Sequence, residues 1–392
     1  GVMAERVHAL ITPAVLLWAR EQRGLPLEIA AKKIGITVEK LVACEVGSDQ
    51  LSIPQLRAAA DTYRRPMAIF YLKQIPRPGR AEVADFRRTP DADVQPSAEL
   101  LLAMRRIREK QEAAASLAEY GPVHDWSFIG MVDAYENTDT VAARVRRMLG
   151  IEERSHEQWR DEYQAFKAWR TGLESLGVLV FQVGGIAVEE MRGFSISRKP
   201  YPTIVVNTKD SPQARIFSLL HEFAHLLLNR SGLCNLKESP ASPSQSVETF
   251  CNYVAGSALL PDAAMRSFET VRNHGRSTVW TDLELSKIAK HFKVSQHVAL
   301  RRLLILSFTT ESFYRDKCAE WSMRPLAAAG GGGAESGADK VLRTQGRNYV
   351  QLVLGALHNE AITTVNVSEY LDMKLKHLSA LEQQVNLARG GA

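Results

Sequence analysis

The chain has 392 residues, 45% hydrophobic and 24% charged, with a formal net charge of +5. That length exceeds one small core and predicts two or three domains, and the mild charge permits contact with nucleic acid without requiring it. No apolar run reaches the ~18–20 residues of a membrane span. Cys44, Cys234, Cys251 and Cys318 are widely spaced without a C-x-x-C pair, so they read as thiols in a reducing compartment, the cytoplasm, and not as a disulfide framework. The opening Gly1-Val2-Met3 lacks signal-peptide architecture and reads as two residues placed before a native Met3.

Residues 7–73 read as a compact helical unit. Pro13 opens a helix through Arg20, Leu27–Ile34 forms the next, and Gly35 ends it. Thr37 is a good N-cap for a helix from Val38 to Glu45, which Gly47 ends; Ile53-Pro54 opens a fourth through Ala60 and Tyr63. The run A-x-x-I-G-I-T from Ala31 to Thr37, followed by a short helix, is a helix-turn-helix pattern. Over about the first seventy residues it resembles the XRE (Cro/cI-like) DNA-binding family. That resemblance makes Lys32, Lys33, Thr37 and Lys40 the candidate DNA contacts. The bland alternative is a helical bundle that touches protein. The expected recognition helix carries Thr37, Glu39, Lys40, Cys44 and Glu45 and lacks the Gln, Asn and Arg that read base edges best. Its two glutamates repel phosphate, and residues 1–75 hold ten Lys/Arg against seven Asp/Glu, a balance of only +3.

Residues 74–98, rich in proline and charge, read as a linker, with Phe86 of Asp85-Phe86-Arg87-Arg88 as a docking residue. Helices follow at 97–120, 139–150 and 159–176; the basic Arg144, Arg146 and Arg147 of the second read as a solvated face. Then the period changes. Gly177–Val183, Arg192–Ile196 and Pro202–Asn207 are β-branched runs of strand length. A helix starting near Pro212 carries Leu219-Leu220-His221-Glu222-Phe223-Ala224-His225-Leu226-Leu227-Leu228.

This last stretch contains H-E-x-x-H. Positions i and i+4 share a helix face, so His221 and His225 can hold one divalent metal, most often zinc. Glu222, one residue round the helix, can serve as the general base that takes a proton from the attacking water. Two surface histidines in a chance match would do no chemistry, but the apolar flanks make this a buried helix, where an unpaired Glu and two His are costly. Helices, a small sheet and then a metal-binding helix is the plan of zinc peptidases, in which an edge strand can pair with an extended substrate. A third ligand is required. The chain is loop-like from Asn229 to Gln245, and a helix from Val247 to Leu260 places Glu248, Cys251, Asn252, Ala255 and Leu259 on one face. Glu248 is the favoured ligand, with Cys251 and Cys234 as rivals, and Asn252 is a candidate to orient Glu248.

H-E-F-A-H-L-L-L-N followed by V-E-T-F-C-N-Y-V-A-G-S-A-L-L-P resembles the ImmA/IrrE metallopeptidase family, and upstream R-G-F-S-I and P-T-I-V-V-N are similar to its strands. The likeness spans about residues 140–310, and an XRE-like domain fused ahead of such a peptidase is an arrangement of that family. The resemblance implies His221, His225 and Glu248 as ligands of one zinc per chain and Glu222 as the catalytic glutamate. It implies a protein substrate, an XRE-type repressor, cleaved in stress response or mobile-element control. Gly256-Ser257 departs from the more common Ala-x and is expected to loosen the second helix.

Glu284–Ser295 repeats the A-x-x-[IF]-x-[IV]-[ST] pattern of Ala31–Thr37, and the resemblance implies scaffold for it; Lys287, Lys290, Lys293, Arg301 and Arg302 keep a DNA-reading alternative open. Ala327–Ala338, with four consecutive glycines, is a flexible linker without the G-K-[ST] of a phosphate loop. Helices return over 340–388, where Ser368–Leu378 resembles a third helix-turn-helix fragment. The expected chain is therefore multidomain. It has an all-α helix-turn-helix domain at 1–73, a linker at 74–98 and an α+β zincin-like metallopeptidase domain with a small sheet at 99–310. A Gly-rich linker and helical region fill 311–392. Its expected partners are the protein substrate and double-stranded DNA, not a membrane, and a homodimer is compatible with both. The competing reading is a DNA-binding regulator or antitoxin whose metal site is sensory or structural.

Overall fold

The computed structural model describes residues 11–65, 67–71, 96–230, 232–234, 243–323 and 335–387. They belong to two compact units, 1–106 and 107–392. Most of the expected 74–98 linker, including Asp85–Arg88, lies outside the described residues, as does the glycine run at 330–333.

The first unit contains α1 (Pro13–Gln22), α2 (Leu27–Ile34), α3 (Val38–Val46) and α4 (Ile53–Tyr63); its border with the second falls within α5 (Ala98–Ser116). The expected punctuation operates here. Gly35 turns out of α2 at φ 78°, the Thr37 hydroxyl accepts from the Lys40 amide, and Gly47 closes α3 at φ 84°. A Ser52–Gln55 capping box opens α4. Leu16, Leu41, Leu56, Tyr63 and Phe70 fill the core. One expectation is corrected: Glu45 does not face outward with Glu39. It is buried and grips Arg20 through two hydrogen bonds of 2.7 and 2.9 Å, and Cys44 is buried beside it. Lys32 and Lys33 are exposed on the last turn of α2, Thr37 is occupied as a cap, and the Lys40 ammonium lies 3.8 Å from Asp49.

The second unit continues with α6 (Thr138–Met148), α7 (Glu162–Ser175), β1 (Leu179–Val183), β2 (Gly193–Ile196), β3 (Thr203–Asn207) and α8 (Pro212–Leu227). After these come β4 (Gly232–Cys234), α9 (Pro243–Leu259), α10 (Asp262–Ser267), α11 (Glu269–Arg272), α12 (Asp282–Phe292), α13 (Gln296–Ile305) and α14 (Glu311–Ser322). The chain closes with α15 (Gly337–Gln345), α16 (Arg347–His358), α17 (Thr364–Tyr370) and α18 (Leu378–Leu387). The sheet order is β1-β3-β2-β4; β1 and β3 are parallel and the other pairs antiparallel. β4 lies in the stretch expected to be loop, because three residues are too few to show strand periodicity in a sequence. α9 likewise begins at Pro243, four residues ahead of expectation, with proline in its first turn.

Both faces of the sheet are covered, which is why β1 and β3 are apolar without alternation. Val180, Ile204 and Val206 join the core built with α7, α8, α9 and the α12–α13 pair. On the opposite face Phe181 meets Tyr349 of α16 edge-on at 5.3 Å. Buried polar contacts fix that second layer. Arg170 donates to the carbonyls of Val180 (2.7 Å) and Arg343 (2.8 Å), and the Arg347 amide donates to the Glu174 carboxylate at 2.8 Å. The expected border at 310/311 therefore coincides with no division of the chain: residues beyond it cap the sheet within the same compact unit.

The α12–α13 segment sends Leu285, Ile288, Phe292, Leu300 and Leu303 into this core. Of its cations, Arg302 is buried and donates to the Leu260 carbonyl at 2.9 Å and to Asp139 at 2.8 Å, so it is not offered to DNA. Ser257 of α9 also donates to Asp139, and α9 runs unbroken through Gly256, so the Gly-Ser departure is tied down. Arg146, expected on a solvated face, is buried as well, donating to the Ala258 carbonyl at 2.5 Å. Among the described residues no helix is long and apolar enough to cross a membrane.

Candidate metal centre

Ser211 caps α8 through the Ala214 amide, Pro212 occupies its first turn, and every residue from Ile216 to Leu227 is buried. The helix is held between α7 and α9, with β2 and β3 at its side. Fully buried Cys251, Ala255 and Ala258 bring α9 close to it, which sets Glu248 and Asn252 opposite the histidines.

The electron-rich atoms converge. His221 Nε2 lies 3.1 Å from His225 Nε2 and 3.1 Å from Glu248 Oε2, and His225 Nε2 lies 3.2 Å from Glu248 Oε1. His221 Nδ1 is 2.9 Å from Asn252 Oδ1. With Nδ1–H donating to that oxygen, Nε2 is left facing Glu248, where it donates when protonated and presents its lone pair to a cation when not. Asn252 was expected to orient Glu248; it orients His221 instead. The His side chains are almost fully enclosed, whereas that of Glu248 is 43% exposed, so the cluster opens to solvent on the Glu248 side. Burial works against a charge on Glu248, but hydrogen bonds from His221 and His225 outweigh it and hold the carboxyl well below the usual range. Burial likewise opposes a charge on His225, yet Cys251, Glu248 and Glu222 around it raise its pKa well above the ordinary imidazole value. The convergent group consists of His221, His225 and Glu248. Cys251 is fully buried beside the cluster, where burial pushes its thiol up, and its sulfur is not among the three convergent ligand atoms. The side chain of the other rival, Cys234, lies outside the described residues.

Glu222 is completely buried and neither carboxylate oxygen has a hydrogen-bond partner among the described residues. An isolated buried carboxylate is costly. Burial pushes its pKa above the usual carboxylate range, opposed by the charges of His225 and His221 and by the neighbouring Ser195 hydroxyl. The sheet makes room for it through Gly193: a β-carbon there would stand 2.8 Å from the Val205 carbonyl and 3.4 Å from Glu222 Cγ. The sequence places Gly193 and Ser195 in a strand and by itself assigns them no part in the site. The signal available was the glycine inside a strand, which marks a close approach.

Residues 173–304 match the family model Peptidase_M78, described as the IrrE N-terminal-like domain. The match supports a metallopeptidase domain of the ImmA/IrrE type. Such a domain implies a metal, typically zinc. It spans β1 to α13 and so contains the whole histidine–glutamate cluster. No curated protein matches the chain. Lys32, Lys33, Thr37 and Lys40 belong to the first unit, outside the matched residues.

The chemistry of the donor set fits the metal that such a domain implies. Two imidazole nitrogens and a carboxylate face one another at 3.1–3.2 Å, and a divalent cation would neutralise that convergence. Its charge would also offset the cost of enclosing Glu222.

Proposed function

We propose that the chain is a zinc-dependent endopeptidase that cleaves a regulatory protein, an XRE-type repressor, in the cytoplasm during stress response or mobile-element control. One observation carries the reading: a His–His–Glu convergence open on one side, with a fully buried carboxylate beside it that makes no hydrogen bond within 3.5 Å among the described residues. His221, His225 and Glu248 hold the ion, a set of three that leaves a position for water or substrate. Zinc bound there supplies Lewis acidity to water and to the scissile carbonyl. Glu222, enclosed and raised in pKa, accepts the proton of the attacking water and returns it to the departing amine. Asn252 fixes the His221 ring, and Gly193 lets Glu222 stand against the sheet. Among the described residues the sheet ends at β4, an edge strand that an extended peptide would join. The purified chain should cleave a repressor encoded nearby, stop with chelator and resume with added zinc. Metal content equal in the parent and a His221→Ala/His225→Ala variant would refute the ligand assignment.

For the first unit we propose capture of a protein, with operator binding by Lys32, Lys33, Thr37 and Lys40 as the competing reading. Three exposed apolar side chains favour protein: Ile29 on α2, and Val42 and Val46 on α3, the helix expected to enter the groove. If the unit reads DNA instead, binding will discriminate an operator from random duplex and weaken steeply with salt as counterions are released.

A further inference from the structure

A second pair of histidines lies elsewhere in the same unit. His156 sits on the short 3-10 turn Ser155–Glu157 between α6 and α7, and His291 is the penultimate residue of α12. Their Nε2 atoms are 3.1 Å apart, the separation found between His221 and His225. The ring arrangement repeats too: centroids 4.8 Å apart at 74° for His156 and His291, 4.9 Å at 65° for His221 and His225. Two imidazoles bound to one tetrahedral zinc at ~2.0–2.1 Å hold their nitrogens about 3.3–3.4 Å apart, close to both values.

The surroundings hold this second pair in place. Phe268 stacks on His291 with centroids 4.1 Å apart and planes at 17°, and Phe292 lies 4.6 Å from His156. His156 is 3% exposed. A third donor is next in sequence: the His156, His291 and Glu157 ligand atoms all lie within 4.8 Å of one another. Glu157 rests against the exposed Arg154 at 2.9 Å, a surface pair that contributes little in water, so the carboxylate can leave it at small cost.

We propose that His156, His291 and Glu157 form a second site for a borderline divalent transition cation, with zinc as the ion best suited to two imidazoles and a carboxylate. The site shares no residue with the His221/His225/Glu248 cluster and has no buried unpaired carboxylate among its three groups. It therefore grips without catalysing, and clips the α6–α7 connection to α12. Since α12 and α13 pack into the core around α8, the ion would brace the scaffold of the first centre.

The full chain, stripped with chelator and equilibrated with zinc alone, tests this by elemental analysis. Two equivalents are expected for the parent, one for His291→Ala and one for Glu248→Ala. Removing even a group that only supports a ligand costs metal affinity about tenfold or more. Glu157→Ala, an exposed change that leaves both rings in place, should therefore weaken one equivalent at least that much, and it serves if the His291 variant does not fold. Identical zinc content and affinity in the parent, His291→Ala and Glu157→Ala would overturn the proposal and assign the pair a single N–H···N hydrogen bond. Glu248→Ala reports on the first centre separately, so either site can fail alone.

Discussion

The two histidine pairs have nearly the same geometry and different neighbours. His221 and His225 come from one helix, one turn apart, and beside them stands a buried carboxylate that makes no hydrogen bond within 3.5 Å among the described residues. His156 and His291 come from separate elements, are wedged by Phe268 and Phe292, and have only the exposed Glu157. The difference teaches that convergent imidazoles specify binding, whereas chemistry depends on what else is enclosed with them. At the first pair the fold encloses a carboxylate, the proposed proton acceptor, and opens the cluster on the Glu248 side. At the second it supplies aromatic walls.

The largest break in this contrast is Glu248→Ala. It removes a ligand from the first centre, so metal in that centre, thermal stability and turnover should fall together, whereas His291→Ala should leave turnover measurable. Metal analysis and a melting curve on the same samples check it. Next is Glu174→Ala, a residue of neither cluster. It leaves the Arg170 guanidinium buried without its carboxylate partner and should cost about 3–5 kcal/mol in denaturant unfolding. Zinc content should be unchanged in the fraction that remains folded. Gly193→Ala sharpens the role of the enclosed carboxylate. Its new methyl meets the Val205 carbonyl and crowds Glu222, so stability should fall by about 1–3 kcal/mol and turnover should fall while both ions stay bound. The smallest effect runs the other way. A β-carbon at Gly256 meets nothing within 4 Å, so Gly256→Ala should stabilise α9 by about 0.5–1 kcal/mol and leave both sites intact.

The convergence of His221, His225 and Glu248 was legible because spacing sets the two histidines on one face of α8 and Glu248 shares its face of α9 with Cys251 and Ala255. The partner of Asn252 was not legible: a helical face does not reveal which of two neighbours an amide reaches. Local punctuation at Gly35, Thr37, Gly47 and Ser52 fixed the helices of the first unit, yet the burial of Glu45 depended on Arg20, twenty-five residues away. The C-terminal helices read as a separate region because a glycine-rich run precedes them and part of their attachment is polar. Glu174 and Arg170 look like ordinary charges of α7 until the backbone of residues 343–347 is set against them. The second histidine pair is the extreme case, 135 residues apart and each alone on its element.

The central claim is that Glu222 acts on protons beside a metal it does not hold. Glu222→Gln preserves size and helix propensity and leaves all three proposed ligands in place. Metal content and cleavage of an XRE-type repressor, the proposed substrate, measured on one preparation of parent and variant, test it directly. Unchanged metal with cleavage slowed by about a hundredfold or more is expected, the scale of a positioned general base. Cleavage as fast as the parent's, at equal metal content, would contradict it.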